Sequence, residues 1–584
     1  MIAKDRRKHT MLQITLRALL AAAIVAFTIV AQAQEPVIFS RKDIFHPVFA
    51  ERGMVSTQEE TATRIGVEIL KAGGNAVDAA VAVGFTLAVT LPRAGALGGG
   101  GFMLIHSADA QETVAVDYRE MAPTAATRDM FLDAEGNLDK RKARASRYAV
   151  GVPGTVAGLA LALERYGSMT LERVIAPAIE LAEQGITVTP DLAESLASRR
   201  KRLAQHPATA RIFYHGDGTP YRPGERLVQK DLAWSLKQIA RRGPDAFYRG
   251  AIAKRIVADM REHGGPMSGD DLARYRALVR APARGSYRGF EIRSMPPPSS
   301  GGVHLVQILN LLEAFPMRFL GHNSADAIHV MAESMKLAYA DRSQHLGDPD
   351  FWRVPVAGLT SKRYAEGLRK HISIDRTRPS EEIKPGNPPS YESNETTHYS
   401  IMDRFGNAVS NTYTINFSYG SGIVAEGTGI LLNNEMDDFS AKPGVPNAYG
   451  LIGGEANAVA AGKRPLSSMT PTIVLKNGKP FLATGSPGGS RIITTTLQII
   501  LNVIDHQMNI AAATAAPRVH HQWLPDELRV EPGISPDTLD LLRSRGHRIV
   551  EKNAMGSTQT VMRIDAGFLG AADPRRPGAL ASGY

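Results

Sequence analysis

Cysteine is absent from all 584 residues. This excludes disulfides, thiolate metal sites and cysteine nucleophiles, so an oxidising compartment would neither help nor harm the fold. No Walker sequence is present either: the glycines at 98–101 are not followed by Lys-Ser or Lys-Thr, which removes the usual phosphate-loop reading. Beyond the first 33 residues, no stretch has the roughly 20 apolar residues of a membrane-spanning helix. Internal repeats are missing. The best histidine pair, His520-His521, lacks carboxylates or histidines at ligand spacing, so neither a metal nor another cofactor is expected.

What is present is the composition of an ordinary globular protein, 43% hydrophobic and 22% charged, with 54 Gly and 35 Pro. Its length fits several domains or one large layered unit. The formal charge of +10 shrinks on inspection, because residues 1–33 hold Lys4, Arg6, Arg7, Lys8 and Arg17 against Asp5, leaving +6 for the rest. That excess is too dilute to imply nucleic acid. The densest run, Arg199-Arg200-Lys201-Arg202, reads as a solvated helix face.

Residues 1–33 read as a secretory leader: a basic start, the apolar stretch from Ala18 to Phe27, and the cleavage signal Ala31-Gln32-Ala33. Removal would leave Gln34 first, in a periplasmic or secreted protein without a stable membrane span.

Ser56-Thr57-Gln58-Glu59 predicts a capping box opening a helix, which Gly73-Gly74 ends. Asn75 to Thr90 predicts a second helix, apolar nearly all round and so buried. It leads into the four glycines at 98–101, which allow close backbone approach. From about 155 to 350 the pattern is mostly helical, with Thr170 to Gln184 and Ala325 to Asp341 as clear examples. Pro379, Pro385, Pro388 and Pro389 lie among polar neighbours between 376 and 395, predicting an exposed, poorly packed segment. Beyond it come two hairpins, one formed by Thr396 to Asp403 with Ala408 to Thr414, the other turning at Lys476-Asn477-Gly478-Lys479. Arg491 to Ile504 predicts a helix packed on them.

The junction Glu395-Thr396 is where the polar linker ends and a strand begins. A threonine hydroxyl is a weak nucleophile unless a base adjoins it, and an N-terminal threonine carries its own base in the α-amine. That amine has a reference pKa of about 7.7–8, suited to accepting a proton near neutrality. Spacing does not decide the matter, because Thr396 by itself fits an ordinary edge-strand residue better.

The surrounding motifs go further. Thr396-Thr397-His398-Tyr399-Ser400, the run from Leu431 to Phe439 (LLNNEMDDF), Arg464-Pro465-Leu466-Ser467-Ser468-Met469 and Gly485-Ser486-Pro487-Gly488-Gly489-Ser490 resemble the small subunit of the γ-glutamyltranspeptidase family. Asp117-Tyr118-Arg119-Glu120 and the glycine run resemble its large subunit. The resemblance implies an α+β fold, the four-layer αββα sandwich of N-terminal-nucleophile hydrolases, with a helical large-subunit portion. It implies a large chain of 34–395 and a small chain of 396–584, separated when Thr396 attacks the carbonyl of Glu395.

By the same resemblance, Thr396 takes the γ-glutamyl group and Thr414 hydrogen-bonds that nucleophile. Gly488 and Gly489 hold the oxyanion, Arg119 with Ser467 and Ser468 binds the α-carboxylate, and Asp438 with Asn416 and Glu435 binds the α-amine. Tyr449 matches a lid tyrosine. The implied donors are glutathione and other γ-glutamyl compounds; the acceptors are amino acids, peptides or water. A related acylase acting on β-lactam side chains or γ-polyglutamate, and an uncleaved binding protein of this fold, are the alternatives. Arg93 departs from the glutamine usual after that proline, which puts the packing near the glycine run in question. His398 lies too far along the strand for a direct bond to Thr396, so a structural role is expected.

N-terminal sequencing of the purified mature protein is expected to read two chains, beginning at Gln34 and Thr396; one uncut chain would exclude the processing scheme.

Overall fold

Alternation along the strand Gly100–Ser107 shows how the layers arise. Successive strand side chains point to opposite faces, and here both faces are covered. Phe102 and Leu104 join Met295, Ile473, Leu475 and Val561 in a core between two sheets. Met103 and Ile105 join the core on the other side, with helices Ala76–Thr90 and Thr155–Tyr166.

The computed structural model describes residues 43–388, 398–445, 447 and 450–584. The leader, the junction Glu395-Thr396 and Tyr449 lie outside the described residues. Pro47–Tyr584 form one compact unit, so the length corresponds to one layered body and not several domains.

One seven-stranded sheet runs Val48–Ala50, Gly567–Ala572, Gln559–Ile564, Lys479–Thr484, Thr472–Lys476, Phe290–Ser294, Ala283–Tyr287. The other runs Leu580–Gly583, Met54–Thr57, Tyr399–Met402, Ala408–Thr414, Gly100–Ser107, Glu112–Tyr118, Leu278–Arg280. Every neighbouring pair in both is antiparallel. Helices Glu60–Lys71, Ala76–Thr90 and Thr155–Tyr166 cover the second sheet. Gly301–Leu312 and Ile510–Ala515 lie on the first, with Ile492–Ile504 packed on Gly301–Leu312. The result is the expected four-layer αββα sandwich. Both sheets draw strands from before and after the segment at 389–397, so the two halves of the chain share one core.

The predicted buried helix is Ala76–Thr90, and all its residues are buried. Asn75 caps it, accepting from Val77 N and Asp78 N while Asp78 accepts from Asn75 N. The Asn477-Gly478 turn has φ of 53° and 75°, the pair of positive values that a tight two-residue hairpin turn demands.

Three expectations are corrected. The helix near residue 60 is capped by Glu59, whose carboxylate accepts from Thr61 N and Ala62 N at 2.9 Å each. Ser56 lies in the strand Met54–Thr57, donating to Gln559 at 3.0 Å, and so is unavailable as a cap. Within the helical stretch, Leu278–Arg280, Ala283–Tyr287 and Phe290–Ser294 are strands. They are three to five residues long and carry Arg280, Arg284, Glu291 and Arg293, which hides their period.

The segment after 376 is the third correction, because its described part is anchored and not loosely packed. Thr377 N donates to Arg545 O, Ser380 N to Asp526, and Gly386 N to Asp341. Ser380 and Ile383 are buried. Polar composition suggested solvent, but groups distant in sequence, the Arg545 carbonyl and the Asp526 and Asp341 carboxylates, satisfy this backbone.

The glycine run accounts for one of the closest backbone approaches among the described residues. A Cβ on Gly99 would stand 1.9 Å from Thr414 O, and one on Gly98 would stand 2.1 Å from Leu431 O. Backbone cannot give way as a flexible side chain does. Gly99→Ala is therefore expected to destabilise the protein by about 1–3 kcal/mol, the usual range for overpacking, read as a lower urea midpoint. An unchanged midpoint would contradict this approach.

Candidate active site

The same glycines position the far end of strand Ala408–Thr414. This strand pairs with Gly100–Ser107 in a register that sets Thr414 opposite Gly100. Thr414 is half-buried, and its Oγ1 accepts from Asn416 N at 2.8 Å. With its acceptor side engaged, the Thr414 hydroxyl hydrogen is left to donate elsewhere. Asn416 takes φ of 70°, one of the few non-glycine residues in that region. Its side-chain amide donates to Asn434 O at 3.0 Å, tying the turn to the loop before Glu435.

These residues border an open cleft of about 590 Å³. It is lined by Thr414, Asn416, Glu435, Asp438, Ser467 and Ser468, and by Gly488 and Gly489. Sequence positions from 414 to 489 thus converge on one cleft. Gly488 and Gly489 have φ of 135° and 60°, and Gly489–Arg491 forms a short 3-10 turn leading into Ile492–Ile504. Consecutive peptide groups at a helix start carry partial positive charge, which suits an oxyanion. Glu395, Thr396 and Tyr449 lie outside the described residues.

Arg119 is placed differently from its expected role. It is fully buried and does not line the cleft; Glu435 and Asp438 stand between. One guanidinium nitrogen binds Glu435, the other binds Asp438 at 2.6 Å, and Nε donates to Pro465 O at 3.2 Å. The guanidinium thus holds the two acidic residues in position at the cleft wall. Breaking such a buried pair by removing one partner costs about 3–5 kcal/mol.

Arg342 carried no signal in the sequence, since it sits within helix Ala325–His345. It lines the cleft, donating from Nε to Ser300 Oγ at 2.9 Å and from a terminal nitrogen to Ser468 Oγ at 3.2 Å. A cation therefore stands at the serine pair assigned to carboxylate binding.

Glu120 adjoins this network, 3.6 Å from Arg119 and fully buried. Among the described residues no N–H donor reaches either carboxyl oxygen, and the neighbouring side chain is the Glu435 carboxyl. Burial, opposed by Arg119, pushes its pKa from 4.5 up to about 7. Burial likewise holds Glu435 well above its ordinary value, against the pull of Arg119.

The surrounding histidines are structural. His398 is buried between the sheets, bonded to Ser400 Oγ at 2.5 Å and Gln559 O at 3.0 Å, and burial lowers its pKa to about 3. His520 bonds Thr494 and Gln522, and His521 bonds Asp526. His329, Glu333 and His547 do cluster, with ligand-type atoms within 4.8 Å of one another, a grouping the sequence hid. Hydrogen bonds already use these atoms. His329 Nδ1 meets His547 Nε2 at 2.8 Å, and Lys336 meets Glu333 at 3.0 Å. Their neighbours Thr377 and Arg378 belong to the anchored segment, so this cluster serves to hold it.

The basic run is only partly a solvated face. Arg200 and Lys201 are exposed, but Arg202 turns inward to the carbonyls of Gly420, at 2.7 Å, and Ser418. Arg93 is accommodated, pairing with Asp191 at 2.7 Å while its carbonyl accepts from Tyr419 N.

The folded protein holds the Glu120 proton more tightly than the unfolded chain does. Its contribution to stability is therefore full below about 4.5 and lost as pH rises through about 7. Glu120→Gln removes this titration. The stability of the variant minus that of the wild type, from urea unfolding, is expected to increase from about pH 5 to about pH 8; a flat difference would contradict the raised pKa.

A family model described as Gamma-glutamyltranspeptidase matches residues 62–583. A glutathione hydrolase proenzyme of Escherichia coli (strain K12) is 57% identical over 544 residues, 93% of this chain and 94% of that relative. A second glutathione hydrolase proenzyme, of Pseudomonas sp. (strain A14), is 48% identical over 550 residues, 92% of this chain and 95% of its own. Among solved structures, cephalosporin acylase from Bacillus halodurans superposes with a TM-score of 0.83 at 30% identity, covering 95% of this chain and 99% of that one. The αββα sandwich is accordingly the N-terminal-nucleophile hydrolase fold. With the family model and the shared positions both spanning nearly the whole body, the chain belongs to the gamma-glutamyltranspeptidase family.

Proposed function

We propose that the protein is an autoprocessing γ-glutamyltransferase and hydrolase that cleaves the γ-glutamyl bond of glutathione and related compounds. The observation that carries this reading is the convergence of Thr414, Asn416, Glu435, Asp438, Ser467, Ser468, Gly488 and Gly489 on one cleft.

Processing comes first. Thr396 Oγ attacks the Glu395 carbonyl, the acyl group moves from nitrogen to oxygen, and water hydrolyses the ester. This frees the Glu395 carboxylate and the Thr396 α-amine. In turnover the α-amine takes the hydroxyl proton as Thr396 Oγ attacks the γ-carbonyl of the donor, and the proton passes to the departing amine. The Gly488 and Gly489 peptide groups stabilise the oxyanion, and the Thr414 hydroxyl orients the nucleophile. The γ-glutamyl ester then passes to an amino acid, a peptide or water. Removal of residues 1–33 places the mature large and small chains, 34–395 and 396–584, in the periplasm or outside the cell.

The donor's zwitterionic end fits the cleft wall. Glu435 and Asp438 face the α-amine, and Ser467 and Ser468 face the α-carboxylate. Arg119 supports the acids from behind, so its contribution to donor binding passes through them. Arg119→Lys loses the two-pronged geometry and is expected to raise the donor KM.

A second reading is a cephalosporin-type acylase, favoured by the TM-score of 0.83 to the Bacillus halodurans enzyme. A glutaryl side chain has no α-amine for Glu435 and Asp438 to meet. Side-by-side assay of a γ-glutamyl anilide and a glutaryl amide separates the two, and preference for the glutaryl amide would favour the acylase.

Thr396→Ala is expected to remain one full-length, inactive polypeptide on a denaturing gel, whereas Thr414→Ala still cleaves, but slowly. Normal maturation of the Thr396 variant would defeat the mechanism.

A further inference from the structure

The cleft carries more positive charge than the proposed chemistry uses. Seven arginines and two carboxylates line it, and both carboxylates, Glu435 and Asp438, already bind the buried Arg119. A γ-glutamyl head group brings one carboxylate and one ammonium, so it leaves that excess in place.

Several of these arginines have structural work. Arg93 grips Asp191 with both nitrogens, at 2.9 and 2.7 Å. Arg144 binds Asp437 at 2.8 Å, and Arg202 holds the Ser418 and Gly420 carbonyls. Arg199 and Arg576 stand apart: both are exposed where they border the cleft, and neither forms an ion pair among the described residues.

Each also has a second guanidinium nearby. Burial and then Arg199 lower the pKa of Arg202; burial and then Arg93 lower that of Arg576, against the opposing pull of Asp191 and Asp573. Like charges gathered at the wall of one cleft repel, and an anion settling among them relieves that repulsion. Guanidinium groups match the planar, two-oxygen geometry of a carboxylate.

Resting on the γ-glutamyl reading, we infer that Arg199 and Arg576 form an anion subsite in the cleft, separate from the head-group residues, for a carboxylate on the non-glutamyl partner. That partner is either the amine leaving the donor or the amine attacking as acceptor. The leaving part of a γ-glutamyl peptide ends in a free carboxylate, as does an amino-acid or peptide acceptor. The subsite thus directs the enzyme toward peptide and amino-acid partners and away from neutral amines.

The test uses the full protein as purified and the double variant Arg199→Gln, Arg576→Gln. One arm measures hydrolysis, without acceptor, of a γ-glutamyl anilide bearing a ring carboxylate and of its neutral counterpart. The other measures transfer from the neutral donor to glycylglycine and to glycylglycinamide. The expected result is that the ratio of kcat/KM for charged over neutral substrate falls about 3- to 10-fold in the variant, the size expected for two exposed charge contacts. The arm showing the fall identifies the source of the carboxylate, and high salt shrinks the effect. A ratio unchanged in both arms overturns the subsite, as does equal loss on charged and neutral substrates. Wild-type protein inactive on the neutral γ-glutamyl anilide overturns the γ-glutamyl reading instead.

Discussion

Main chain meets main chain where Gly98–Gly101 runs beside Thr414 and Leu431, closer than any residue with a Cβ allows. This contact joins the two halves of the protein. Gly100–Ser107 comes from before the segment at 389–397, and Ala408–Thr414 comes from after it. Their register brings Thr414 to the end of the strand, and the turn at Asn416 and the loop carrying Glu435 and Asp438 follow from there. A side chain anywhere in the glycine run would push this edge outward and open the cleft wall.

Behind that wall, charge takes over from shape. Arg119 is buried with Glu435, Asp438 and Glu120 around it, one cation among three acids. Burial disfavours every charge in the group, so a proton on Glu120 or Glu435 is retained at pH values where exposed carboxyls have lost theirs. The cleft surface in front is the reverse, rich in arginine. An acidic wall held by a hidden cation, facing a basic lining, gives a cleft suited to a zwitterion at one end and a carboxylate at the other.

Much of this was legible in the sequence wherever the signal was local. The buried helix at Ala76–Thr90, the Asn477-Gly478 turn and the close approach at the glycines each follow from a few adjacent residues. Glu435, Asp438, Ser467, Ser468, Gly488 and Gly489, which line the cleft, lie inside recognisable motifs. Arg342 was not found, since a cation in mid-helix has no local mark of what it faces. The short strands between 278 and 294 were missed because three to five residues with charges among them show no period. The segment after 376 was misjudged because Asp341, Asp526 and Arg545, which meet its backbone, are far away in sequence.

By itself the sequence determined the family motifs, the absence of thiol chemistry, and the threonine to which the chemistry is assigned. These depend on residue identity and short spacing. Only the tertiary structure decided that Arg119 is enclosed by acids, that Arg342 stands at Ser468, and that Arg199 and Arg576 border the same cleft as Thr414. The reason is physical: a guanidinium's role depends on burial and on which carboxylates, hydroxyls and carbonyls reach it, and those partners are brought together by sheet pairing and layer packing, not by position along the chain.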